Sequence, residues 1–110
     1  MNFKPPKDDA RCQWTNHVKG KMMQYRISES LIKRIIRSPR RMEEGIAEHT
    51  IGVMQPGGMG KRKHEVWVMY RRVGQKIKII SAWRYPGTSP AGKPIYIPED
   101  VLEELANDKV

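Results

Sequence analysis

The residues best suited to chemistry lie between positions 61 and 85, where cations alternate with aromatic and aliphatic side chains. Lys61, Arg62 and Lys63 form one basic run, and Arg71, Arg72, Lys76, Lys78 and Arg84 follow on two strand-like stretches. Cations projecting from a sheet are what a phosphate-binding platform requires. Trp67, Tyr70, Trp83 and Tyr85 interleave with them. Aromatic rings can stack on unpaired bases, although core packing is the expected use of both tryptophans. His17, His49 and His64 lack ligand-like spacing and Cys12 is the single cysteine, so neither a metal site nor an intrachain disulfide is expected. His64 stands where the basic run enters a strand, close to any phosphate that the run would hold. Gly57-Gly58-Met59-Gly60-Lys61 is a phosphate loop only superficially, because Arg62 follows the lysine and a strand, not a helix, comes next. Lys33, Arg34, Arg37, Arg40 and Arg41 read as a solvated helix face and its exit.

These side chains need elements to place them. Trp14, Val18, Met22 and Tyr25 follow one helical face, which predicts a helix over Asn16–Tyr25 capped by Thr15 or Asn16. Ser28 caps a second helix, Glu29–Arg37, whose apolar stripe is Leu31, Ile32, Ile35 and Ile36. Ser38-Pro39 ends it, since the residue before a proline avoids helical geometry. The remainder reads as antiparallel sheet: a weak strand over 41–47, a better one over 50–55, a flexible basic hairpin loop, and strands over 65–72 and 76–84. The strand over 65–72 is apolar on both faces, which predicts a central position. In its partner, alternation puts Ile77, Ile79 and Trp83 on one face and Lys78, Ile80, Ala82 and Arg84 on the other. A Pro-rich segment leads to a last helix over 99–106 with Val101, Leu102 and Leu105 on its buried side.

Composition sets the class. The chain has 110 residues, 38% apolar and 30% charged, which fits one globular domain. No apolar run approaches a membrane span and no apolar h-region opens the chain, so a cytoplasmic protein without membrane contact is expected. The net charge is +9 and its distribution is uneven. Residues 1–98 hold 20 bases and 7 acids, whereas Glu99, Asp100, Glu103, Glu104 and Asp108 make the last helix acidic. Such a basic body calls for a polyanion, and nucleic acid is the commonest. The acidic helix is expected to fold back on that body, as plain packing or as a removable cover. Residues 1–13 read as a flexible leader, 14–85 as the α+β domain, and 86–110 as a Pro-rich extension with the acidic helix.

At residues 17–28 the chain resembles a family pattern. His17-Val18-Lys19-Gly20-Lys21-Met22-Met23-Gln24-Tyr25-Arg26-Ile27-Ser28 is similar to His-Ala-x-x-Arg-Met-x-x-Arg-Gly-Ile-Ser, found in small bacterial toxin-like proteins. Arg37-Ser38-Pro39 resembles that family's Asn-Pro close, and Lys78-Ile79-Ile80-Ser81-Ala82-Trp83-Arg84 resembles the Arg-Ile-Ile-Ser-Ala-Arg strand of BrnT-type toxins. Lys21 stands where the pattern has arginine, Tyr25 where it has a second arginine, and Trp83 where it has the arginine after Ser-Ala. The resemblance implies a BrnT/RelE-like α+β fold, two N-terminal helices on a three- to four-stranded antiparallel sheet, here with a short C-terminal helix added. It also implies an endoribonuclease of a toxin–antitoxin system, working through lysines, arginines and often a tyrosine.

Joined to that resemblance, the residues yield a concrete expectation: an RNA-binding domain or metal-independent endoribonuclease without a cofactor. Arg71, Lys78 and Arg84 would meet phosphate and transition-state charge, His64 or His17 would move protons, and Tyr85 is a further candidate. Lys61, Arg62, Lys63, Arg72 and Lys21 would bind the nucleic acid. The first alternative is a non-catalytic nucleic-acid- or ribosome-associated module. The second is an interaction protein whose basic face docks an acidic antitoxin. A homodimer is also open.

Overall fold

The computed structural model describes residues 3–44 and 47–108. Its first regular element starts where a leader is expected. The Asp9 carboxylate accepts the backbone N–H groups of Arg11 and Cys12, and Asp8 accepts that of Trp14. These turns release Cys12–Trp14 as strand β1, with Cys12 and Trp14 buried and Gln13 outward. The two amide donors hold the Asp9 carboxyl below its usual range, and burial pushes the Cys12 thiol up, away from reactivity.

Helix α1 follows at Asn16–Tyr25. The Thr15 hydroxyl both accepts from Val18 N–H and donates to the Ile80 carbonyl at 2.8 Å, so one residue caps the helix and ties it to the sheet. Arg26 ends α1 in the left-handed region at φ 55°. Ser28 then caps α2, Glu29–Arg37. Strand β2 is Arg41–Glu44, and the expected extension through 45–46 lies outside the described residues. Strand β3 is Thr50–Gly57, a single 3-10 turn occupies Gly60–Arg62, β4 is His64–Val73, β5 is Lys76–Pro86, and α3 is Glu99–Asn107.

The chain is α+β. Its sheet has five strands in the order β1-β5-β4-β3-β2, and β1 pairs parallel with β5. This corrects the expectation of three to four antiparallel strands: three residues of alternating burial sufficed for a strand once the Asp8 and Asp9 turns had aligned them. The doubly apolar β4 is central, as its composition requires. Both faces of the sheet are covered. On the first, Val18 and Met22 of α1 and Ile32 and Ile35 of α2 pack against Val53, Val66, Val68, Ile79 and Ala82. On the second, Val101 and Leu105 of α3 pack against Met54, Trp67, Met69, Ile80 and Trp83, whereas Leu102, expected on the buried side of that helix, is half exposed. Burying those two α3 side chains contributes about 1.5–3 kcal/mol each, and the acidic helix is therefore folded back.

A β-bulge decides what β5 presents. Tyr70 pairs with Ile79 but Met69 pairs with Ser81, leaving Ile80 as the extra residue. Alternation shifts by one residue at that point. Ala82 consequently joins Ile79 on the first face, and Trp83 joins Ile80 on the second. The expected grouping of Ile77, Ile79 and Trp83 against Lys78, Ile80, Ala82 and Arg84 is corrected accordingly.

The residues between β5 and α3 cross the second face. The Glu65 carboxylate, buried in the sheet, accepts from Trp67 Nε1 and from the Ser89 backbone N–H. Arg41 donates to Ser89 Oγ and to the Lys93 carbonyl while lying over the Trp67 ring. Trp67 and Trp83 stack at 6.2 Å, so both tryptophans are core residues.

Candidate functional site

The strands β4 and β5 carry two cationic clusters, one at each end. At the first, Arg84 lies opposite Val66 on the first face, the one covered by α1 and α2. Its Nε and Nη2 donate to the carbonyls of Tyr25 and Arg26, the end of α1, where a cation complements the helix dipole. Its Nη1 stands 2.7 Å from His64 Nε2. A guanidinium has no acceptor, so His64 Nε2 must accept. The ring proton is thereby assigned to Nδ1, which donates to the Arg62 carbonyl at 3.2 Å. Gly57 faces the ring so closely that a Cβ there would sit 2.7 Å from Nε2. Lys61, Arg62 and Lys63 run beside this pair, exposed and without an ion pair among the described residues. Gly87 N–H fastens the run to the sheet through the Lys63 carbonyl at 2.8 Å. Beyond Arg26, a cleft of about 480 Å³ is lined by Phe3, Lys4, Met22, Met23 and Ile27.

The second cluster is closed. Arg71 and Lys78 are cross-strand partners on the other face of the sheet, and Arg71 is only 3% exposed. Asp108, just past the end of α3, bonds to both: Oδ2 meets Arg71 Nη1, and Lys78 Nζ donates to Oδ1 at 2.5 Å. Arg71 Nη2 donates to the Glu48 carbonyl, while its buried Nε has no partner among the described residues. A cavity of about 400 Å³ opens beside it, lined by Ala47, Glu48, His49, Leu105 and Ala106 as well as by Arg71 and Asp108. His49 adopts φ 60°, a left-handed conformation uncommon outside glycine.

Between the clusters, α1 and α3 are clasped. His17 and Lys21 are one helical turn apart, as are Asp100 and Glu104. Lys21 Nζ donates to Asp100 at 2.7 Å and stands 4.9 Å from the centre of the Tyr25 ring. Burial pushes the Asp100 carboxyl up, but the Lys21 hydrogen bond and charge outweigh it and hold the group below its usual range. His17 Nε2 lies 2.9 Å from Ser81 Oγ, and Nδ1 faces Glu104 at 3.9 Å.

The residues singled out in the sequence thus separate. His64 and Arg84 meet beside Lys61, Arg62 and Lys63. Arg71 and Lys78 meet each other, but seven residues of extended chain, about 23 Å, separate Arg71 from His64. One surface comprising the loop with Arg71, Lys78 and Arg84 is therefore replaced by two, and the bulge puts Lys78 and Arg84 on opposite faces. Arg72 is exposed at the far end of β4. Lys21 is buried at 5% exposure, with its charge met by Asp100. His17 faces buried Ser81, and Tyr85 packs near Tyr96 on the second face.

Sequence reasoning counted Asp108 only among the acids of the last helix and gave neither it nor His49 a place in a site. The available signal for the first was the four-residue spacing of Asp100, Glu104 and Asp108 down one side of an acidic helix. No signal marked His49, because its conformation and the cavity beside it come from the fold. Among the described residues, no helix is long and apolar enough to cross a membrane, and no group of three or more His, Cys, Asp or Glu is placed to hold a metal ion. Compared with known proteins, the chain matches no family model, no curated protein and no solved structure.

Proposed function

We propose that this chain is an RNA-binding protein that grips single-stranded RNA along Lys61, Arg62, Lys63 and Arg84 and cleaves it at His64 without a metal. The reading rests on one observation, the 2.7 Å contact between Arg84 and a His64 nitrogen that carries no proton. A proton acceptor, a cation and three exposed cations without an ion pair among the described residues lie at one edge, and that combination suits a phosphodiester. Further support comes from the resemblance of residues 17–28 and 78–84 to BrnT/RelE-like toxins. A cytosolic site of action and an acidic antitoxin partner belong to the same proposal.

In the proposed reaction, His64 Nε2 takes the proton of a ribose 2′-hydroxyl. The 2′-oxygen bonds to the adjacent phosphorus as the phosphorus–5′-oxygen bond breaks. The 5′-oxygen takes a proton from water, and the hydroxide left behind deprotonates the imidazolium. The products are a 2′,3′-cyclic phosphate and a 5′-hydroxyl. Arg84 turns from the imidazole to the non-bridging oxygens, where negative charge develops.

Incubation of the full chain with single-stranded RNA in a chelator tests this. Wild type should yield cyclic-phosphate ends, and His64→Ala should lose at least about 100-fold in rate. Replacing Lys61, Arg62 and Lys63 by Ala should reduce the slope of log affinity against log salt by about 2, at roughly 0.7 per phosphate contact on a single strand. RNA bound but left intact would establish the non-catalytic module instead. No salt-dependent binding would overturn the reading altogether.

A further inference from the structure

Asp108 sits where a ligand anion would sit. Arg71 and Lys78 converge on its carboxylate from neighbouring strands. Two cations against one carboxylate leave an excess positive charge in a place where the Asp108 side chain is 5% exposed. Among the described residues the arginine is also incompletely satisfied: Nη1 and Nη2 have partners, but Nε is buried without one. A buried guanidinium normally uses its fork in full. The about 400 Å³ cavity beside it exceeds what one carboxylate needs. His49, held left-handed at φ 60°, lines the same cavity and adds an imidazole to its wall.

We infer that Arg71 and Lys78 form a phosphate-binding site that the chain fills with its own Asp108 carboxylate. A carboxylate supplies two oxygens and one negative charge. A phosphate group supplies more oxygens in a tetrahedral array and more negative charge, so it can engage Arg71 Nη1 and Lys78 Nζ together and match both cations. Asp108 is the C-cap of α3: at φ −80° and ψ 112° its backbone leaves helical geometry, and its N–H, donating to the Glu104 carbonyl at 2.8 Å, makes the last helical hydrogen bond. It can leave by release of that last turn while Val101, one turn further in, remains packed on the sheet. The last turn of α3 has to move, with Leu105 and Ala106 that line the cavity; the rest of the wall is Arg71 on β4 and Ala47, Glu48 and His49, and Lys78 of β5 reaches the Asp108 carboxylate.

The site stands on its own geometry. The identity of its ligand as an RNA phosphate rests on the reading above, and the cluster would then hold a phosphate remote from the His64 edge. The reach is consistent with this, because about 23 Å along β4 is a span that several nucleotides of extended strand can cover.

The experiment compares full-length wild type with Asp108→Asn, using inorganic phosphate against chloride at matched ionic strength. Asp108→Asn should bind phosphate at least tenfold more tightly, and adding Arg71→Lys should return the affinity to the wild-type level. In wild type, phosphate should accelerate amide exchange over residues 104–107, because it competes with Asp108. This second measurement decides the matter if Asp108→Asn does not fold. Equal phosphate affinity in the two proteins, or α3 amides in wild type that ignore phosphate, would overturn the site. A short RNA forms the third arm. Tighter phosphate binding without tighter RNA binding by Asp108→Asn would overturn RNA as the ligand while leaving the site. Salt-dependent RNA binding through residues 61–63 with no phosphate effect would overturn this inference alone.

Discussion

Arg84 and Arg71 leave the same pair of strands, each near a histidine, yet their surroundings differ in kind. Arg84 donates to two neutral carbonyls and an imidazole, and among the described residues no carboxylate pairs with it. Arg71 meets a carboxylate and shares it with Lys78. Around Arg84 the neighbours Lys61, Arg62 and Lys63 are exposed, whereas around Arg71 the end of α3 excludes solvent. The contrast shows that a cation's residue type and its place on a strand do not determine whether its charge is available. What decides is whether another element delivers a carboxylate. Here α3 does so at one end of the sheet and stops short of the other.

The comparison breaks most completely if the second face loses its floor. Trp67 stacks on Trp83, lies under Arg41 and donates to Glu65. Trp67→Ala should lower unfolding stability by about 3–5 kcal/mol, read from urea denaturation. Amide exchange in α3 should rise before that of α1, since α1 belongs to the opposite core. Uniform loss in both helices would show that the two faces are not separable.

A gentler change acts on the open end alone. Gly57→Ala would place a Cβ 2.7 Å from His64 Nε2, so the ring must turn away from Arg84. All the ionisable groups remain, and only their alignment changes. We expect RNA cleavage to fall about tenfold, equivalent to about 1.4 kcal/mol, with phosphate binding at Arg71 unchanged. Unaltered cleavage, together with an unaltered His64 ring resonance in nuclear magnetic resonance, would show that the contact does not orient the base.

The smallest effect should come from acid. Lys21 holds the Asp100 carboxyl below its ordinary pKa in the folded chain. The contribution is therefore present above the unfolded value of about 3.9 and is lost as pH falls through the lower folded value. Asp100 is half exposed, so solvent screening limits it to about 0.5–1 kcal/mol. Exchange in the first turn of α3 should stay slow down to the ordinary carboxylate range and quicken only below it. Asp100→Asn should abolish that acid step. A step unchanged in the variant would assign it to another carboxylate.

The sequence by itself determined the local elements. The apolar spacing in α1 and α2, with Thr15 and Ser28 before them, marked both helices to the residue. The doubly apolar run of β4 marked the central strand, and the apolar stripe of the acidic segment marked α3 as a packed helix. Periodicity and capping are properties of a few neighbouring residues, so they are readable in order along the chain. Only the tertiary structure decided that β1 exists as a fifth strand, that Ile80 is bulged, and that Arg71 and Lys78 are closed while Arg84 is open. Those outcomes depend on partners far apart in sequence, such as Arg71 with Asp108 at a separation of 37 and His17 with Ser81 at 64. A bulge of one residue reverses which face every later side chain takes. The alternation of β5 carried no mark of it, because the irregularity is a property of the β4–β5 pairing and not of either strand alone.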